Sequence, residues 1–154
     1  MKVVRVGFIA AAVLAMATLS FAQKPDFSGT WTLDEAASGT AGGGGGGGRG
    51  GGLGNGGTVK QTADALMVER MMGDNKVTAS YKLDGTESKN TMMGRGGQSM
   101  EAVSTVKFDG GKMIITSKVG ENDSTQVWSL AGNVLTIETT NARGTQKRVY
   151  KKTT

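Results

Sequence analysis

Cysteine and histidine are both missing from the 154 residues. Without cysteine there is no disulfide framework, no thiol redox chemistry and no thiolate for a zinc or iron–sulfur site. Without histidine, the Ser-His-Asp and Cys-His arrangements lose their base, and no side chain titrates near neutral pH at its ordinary value. The acid–base inventory is 13 carboxylates and 18 lysines and arginines, a poor set for catalysis near pH 7. This argues against an enzyme, and neither a metal nor a cofactor is expected. Proline occurs once, at position 25, and the aromatic residues are 4 Phe, 2 Trp and 2 Tyr.

What is present begins with an export signature. Lys2 and Arg5 form a basic start, an apolar run follows from Val6 to Leu19, and Ser20-Phe21-Ala22 places small residues at the −3 and −1 positions before Gln23. The run is shorter than the roughly 20 residues that span a bilayer. Residues 1–22 therefore read as a signal peptide cleaved after Ala22. The expected product is a periplasmic or secreted chain over residues 23–154, without a membrane span and monomeric. Loss of Lys2 and Arg5 lowers the formal charge from +5 to +3, too little to argue for a nucleic-acid partner.

Glycine is concentrated between Gly39 and Gly57, where 14 of 19 residues are Gly, seven of them consecutive from Gly42 to Gly48. Such a stretch buries too little apolar surface to offset the entropy of ordering it, so a disordered loop is expected over 39–57. The remainder is enough for one domain and too little for two.

Elsewhere the pattern is alternation, the signature of half-buried strands, and helical periodicity is absent. Phe27, Gly29, Trp31 and Leu33 alternate with Ser28, Thr30 and Thr32, and Val77, Ala79, Tyr81 and Leu83 alternate with Lys76, Thr78, Ser80 and Lys82. The same pattern recurs over residues 58–62, 66–72, 86–93, 99–108, 112–119, 124–130, 134–139 and 146–151. Short turn-rich links such as Asp84-Gly85, Asp109-Gly110-Gly111 and Ala131-Gly132-Asn133 predict antiparallel hairpins between sequential strands. The fold class is all-β, an antiparallel up-and-down meander of eight to ten strands. Closure into a barrel removes the two exposed edges that a flat or split sheet would keep. Connections in a meander alternate between the ends of the barrel. One end receives 39–57, 73–75, 94–98, 120–123 and 141–145, and the other receives 63–64, 84–85, 109–111 and 131–133. Long loops are thus expected at one mouth, with tight turns closing the other.

The segment Phe27-Ser28-Gly29-Thr30-Trp31, carrying Gly-x-Trp in the first strand after a signal peptide, resembles the lipocalins and the wider calycin group of ligand-binding barrels. It is also similar to small exported bacterial lipocalin-like proteins that begin with this segment and end near Lys147–Lys152. The resemblance implies that Trp31 plugs the closed end, that Arg148 or Lys147 packs over its indole, and that the glycine-rich loop is the lid at the open mouth. Gly29, Trp31 and Arg148 are accordingly structural. A count of ten strands exceeds the usual eight of lipocalins and approaches the fatty-acid-binding barrels, whose helical lid is absent.

An inward Leu83 puts Thr86, Ser88, Asn90 and Met92 on the inner face, and buried hydroxyls and amides there need partners from a ligand or ordered water. An edge strand with these residues in solvent is the other reading. Met71-Met72 and Met92-Met93 fall at the open mouth, where thioethers suit an adaptable apolar portal. Arg49, Arg95 and Arg143 are either an anion-attracting rim or solvated loop charges. The expected function is non-covalent binding of a small apolar or amphipathic molecule by Tyr81, Ser88, Asn90, Met92 and Arg95. The rival is an envelope structural or interaction protein whose barrel is filled by its own side chains. A binder needs a cavity of a few hundred cubic ångströms, on the order set by known ligand sites.

Overall fold

The computed structural model describes residues 24–39, 52–93 and 97–153. The leader expected over 1–22 and the run of consecutive glycines lie outside them. Ten strands follow in order: β1 (Gly29–Leu33), β2 (Gly56–Gln61), β3 (Ala65–Met72), β4 (Asn75–Lys82), β5 (Ser88–Met93), β6 (Ser99–Asp109), β7 (Lys112–Val119), β8 (Asn122–Ala131), β9 (Val134–Asn141) and β10 (Gly144–Thr153). The sheet order is β4-β3-β2-β1-β10-β9-β8-β7-β6-β5, with every ladder antiparallel. First and last strands are paired through Trp31 and Lys152, and β4 returns to lie beside β5. The result is a nearly closed barrel.

Period-2 alternation sets the inner face. Leu66, Val68 and Arg70 of β3, Met113, Ile115 and Ser117 of β7, and Leu135 and Ile137 of β9 are buried, while their chain neighbours face outward or are half-buried. The heaviest packing is at one end. Phe27 meets Trp128 edge to face with ring centroids 5.8 Å apart, an arrangement worth about 0.5–1.5 kcal/mol beyond its buried area. Trp31 Nε1 donates to the Phe27 carbonyl at 3.0 Å. The segment before β1 is strapped across this end: Gln61 Oε1 accepts from Phe27 N at 3.0 Å, Gln61 Nε2 donates to Pro25 O at 2.9 Å, and Lys24 Nζ lies 5.0 Å from the Phe108 ring.

Four details depart from the sequence reading. The cation over Trp31 is Lys152, with Nζ 5.5 Å from the ring centroid, and neither Arg148 nor Lys147. Register explains it, since Lys152 stands directly opposite Trp31 and its stem crosses Gly29, which has no side chain to block it. Arg148 points inward one turn of the ladder further up, and Lys147 is exposed. The glycine-rich stretch is structured at its C-terminal end, for Gly56 and Gly57 open β2 and Leu53 is fully buried.

The hairpin expected at Asp84-Gly85 forms no ladder between β4 and β5. Asp84 Oδ1 accepts from both the backbone N (2.9 Å) and Oγ1 (2.6 Å) of Thr86, an Asx-type turn that keeps residues 84–87 out of the sheet. Thr86 is consequently exposed. Finally, the two ends differ less in loop length than expected. The β3–β4, β7–β8 and β9–β10 links at the open end are as tight as those at the closed end, leaving β1–β2 and β5–β6 as the long connections there.

Candidate functional site

The seam between β4 and β5 uses two of the residues anticipated as ligand contacts. Asn90 Oδ1 accepts from Ser80 N at 2.8 Å and Asn90 Nδ2 donates to Ser80 O at 2.9 Å, copying a ladder pair with a side-chain amide. Ser88 Oγ accepts from Lys82 N at 2.7 Å. The polar groups of this strand therefore find their partners in the backbone of β4. Ser88 is a seam residue in this geometry, while Asn90 both bridges the seam and borders the interior.

Deeper in, the barrel carries positive charge. Arg70 is the third inward residue of β3 and is buried, and Arg148 reaches inward from β10 together with Tyr150 two residues on. Arg70 lies close enough to Arg148, Tyr150 and Tyr81 to be coupled to them electrostatically. Burial holds its guanidinium below the ordinary arginine value, against the opposing pull of the two tyrosines. Burial likewise pushes the Tyr81 and Tyr150 phenols up, opposed by Arg70 and, for Tyr150, chiefly by Arg148. Among the described residues neither arginine makes an ion pair; the four salt bridges all lie on the outer surface.

What satisfies these donors is a piece of the chain itself. Arg148 Nη1 and Tyr150 Oη donate to the carbonyl of Gly54 at 3.0 and 2.9 Å, and Arg70 Nη1 donates to the carbonyl of Gly52. Between them Leu53 is inserted with none of its surface exposed. It rests against the bare backbone of β2, where a β-carbon on Gly57 would stand 3.1 Å from Leu53 Cδ2. A turn holds the segment, with Gly56 N donating to Leu53 O at 3.0 Å and Leu33 N to Asn55 O at 3.1 Å.

A small, partly open cavity lined by Arg70, Tyr81, Asn90, Met92, Ser104 and Ser117 among others measures about 20 Å³, room for about one water. One buried donor is unsatisfied among the described residues: Gln126 is fully buried, its Oε1 accepts from Trp128 Nε1 at 3.0 Å, and its Nε2 has no partner there. A larger hollow on the outer face of β1 and β10, beside Thr32, Asp34 and Lys151, is open to solvent.

Of the anticipated contacts, Tyr81, Asn90 and Met92 come together on the cavity wall, Ser88 is diverted to the seam, and Arg95 lies outside the described residues. Arg70, Tyr150, Gln126 and Leu53 were not anticipated. Arg70 was legible, because the alternation Leu66-Val68-Arg70-Met72 puts a charge on an inward position. Leu53 was hidden by the glycines around it.

No family model and no curated protein matches the chain. Solved structures do. The fatty-acid-binding protein 1 of Echinococcus granulosus aligns at a TM-score of 0.61 with 17% identity over 83% of this chain and 98% of its own. A protein named REP1-NXSQ fatty acid transporter aligns at 0.60 with 16% identity over 82% and 96%. Human cRBP IV aligns at 0.56 with 16% identity over 84% and 99%. At these identities the likeness is one of fold. The chain shares the fold of these proteins, here a ten-stranded, nearly closed antiparallel barrel.

Proposed function

We propose that this protein is an exported, non-enzymatic barrel that binds a small amphipathic molecule non-covalently, with an anionic head such as a carboxylate directed at Arg70, Arg148 and Tyr150. One observation carries the reading: two arginines face the inside of an apolar barrel with neutral peptide carbonyls as their partners. A buried cation is costly unless paired, and hydrogen bonds to a charged acceptor are roughly twice as strong as those to a neutral one. A carboxylate is therefore a better partner for this trio than the carbonyls it now holds. The apolar wall, including Leu66, Val68, Val106 and Ile115, suits an alkyl or ring system, and proteins of similar fold are named for binding or transporting fatty acids.

Export rests on the sequence signature at residues 1–22 and is part of the proposal. A second reading, the filled-barrel structural or interaction protein, is favoured by the 20 Å³ cavity. Native mass spectrometry of the protein purified from its own cell envelope separates the two. The expected spectrum is a monomer beginning at Gln23 with a discrete extractable acid at near-unit stoichiometry. A bare chain that also takes up neither dodecanoate nor anilinonaphthalene sulfonate after delipidation would leave the filled barrel standing.

A further inference from the structure

We infer that Gly52-Leu53-Gly54 is a built-in surrogate ligand: it occupies the anion-binding trio and the adjoining apolar slot, and must be expelled for an external amphipath to bind. This inference rests on the binding reading above and states how that same site is regulated. The segment has the chemistry of an amphipath in miniature. Its two carbonyl oxygens take the hydrogen bonds of Arg70, Arg148 and Tyr150, and its isobutyl group fills the space beside Gly57.

The slot exists because position 57 has no side chain, where a β-carbon would crowd Leu53. Gly54 adopts a positive φ of 61°, the left-handed conformation that turns its carbonyl back toward Arg148 and Tyr150. The segment is tied to the sheet by few bonds, the Gly56–Leu53 and Leu33–Asn55 pairs being its backbone links. The cavity on the far side of Arg70, lined by Tyr81, Asn90 and Met92 among others, has room for about one water. An amphipath whose head takes the donors of Arg70, Arg148 and Tyr150 competes with the carbonyls of Gly52 and Gly54 for them, so its affinity is the difference between two occupants of one site. A ligand that binds only the segment-out state has its apparent affinity reduced by the fraction of molecules in that state.

The test combines calorimetric titration of the delipidated protein with hydrogen exchange. Dodecanoate serves as the charged probe and dodecanol as the uncharged control. Leu53→Ala is expected to bind dodecanoate at least about 10-fold more tightly than the natural chain, with a smaller gain for dodecanol. Because the truncation also leaves a hole that a ligand could fill, the decisive readout is in the natural chain. On dodecanoate binding, the Gly56 and Leu33 amides should exchange faster while the β7 and β8 ladder amides slow.

If dodecanoate binds with both amides equally or better protected and Leu53→Ala leaves affinity unchanged, the surrogate-ligand inference fails and the binding reading stands. If neither protein binds either probe, both fail. Should Leu53→Ala not fold, the exchange experiment on the natural chain decides alone.

Discussion

Gly57 sits between Trp31 on β1 and Arg70 on β3, in a strand composition that ordinarily disfavours glycine. A β-carbon there would crowd the Glu69 carbonyl oxygen of the neighbouring strand as well as Leu53. The missing side chain thus does two things: it lets β2 and β3 approach, and it makes the slot that Leu53 fills. Because one of the crowded atoms is backbone, the clash cannot be relieved by a rotamer change. Gly57→Ala is expected to destabilise the fold by about 1–3 kcal/mol, the usual cost of overpacking. Denaturant unfolding followed by the emission of Trp31 and Trp128, both buried, measures it. An unchanged midpoint would mean that the strand can shift and that the slot is not built by this residue.

The same residue shows why the sequence was misread there. By composition, residues 39–57 look like one glycine tract, and ordering entropy argues for a loop throughout. Close backbone approach overrides that argument at Gly56 and Gly57, yet a close approach is a property of two strands and cannot be read from one. Arg70 and Gln126 are different. Each occupies an inward position of a strand whose alternation is less clean than that of β1 or β4, and parity counted from Leu66 and Trp128 puts both inside the barrel. The polar run Thr86, Ser88, Asn90 is the more conspicuous signal in the sequence, but Thr86 is exposed and Ser88 and Asn90 bond to β4.

At the scale of elements, the informative place is the seam where the barrel is closed by side chains. The alternation of β4 and the meander order of β4 and β5 were plain in the sequence, whereas β5 itself alternated less cleanly. Their missing ladder was not, because the Asx-type turn at Asp84 mimics a hairpin signal while diverting four residues from pairing. Asn90 restores one ladder position with its amide, and Ser88 restores half of another. Asn90→Ala removes both bonds to Ser80 and leaves that backbone to water. Ser80 is exposed, so the loss should stay near the net worth of two hydrogen bonds, about 1–3 kcal/mol. Exchange at the Ser80 amide should rise markedly, and exchange within the β7–β8 and β8–β9 ladders should follow only the global change. If Ser80 exchange does not move, the seam is held by packing alone.

At the scale of the whole molecule, charge is segregated. The described carboxylates lie outside the barrel or at its rim, and the interior holds only cations and neutral dipoles. Hydrogen bonds to Ser28 hold Asp26 below the ordinary carboxylate value, the bond from Lys151 does the same for Asp34, that from Lys76 for Glu69, and those from Thr86 for Asp84. The folded state thus keeps these groups ionised at a pH where the unfolded chain protonates them, near 4 for free Asp and Glu, on the order of their reference values. Their contribution is fully present above that pH and is lost as pH falls through the lowered folded values.

Losing it matters most at Asp34, whose carboxylate joins Lys151 of β10 at 2.7 Å and accepts from the Ala37 amide at 3.2 Å, fixing the turn that leads out of β1. Acidification also adds net positive charge around an interior whose arginines cannot discharge. The thermal midpoint should accordingly be level between about pH 6 and 8 and fall steeply below about pH 4. Added salt should soften the fall, since these carboxylates are at the surface and their field is screened. Asp34→Asn should lower the neutral-pH midpoint and flatten the acid limb together. An acid limb unchanged in Asp34→Asn would move the cause to Asp26, Glu69 and Asp84, where the same substitution pattern can be read one residue at a time.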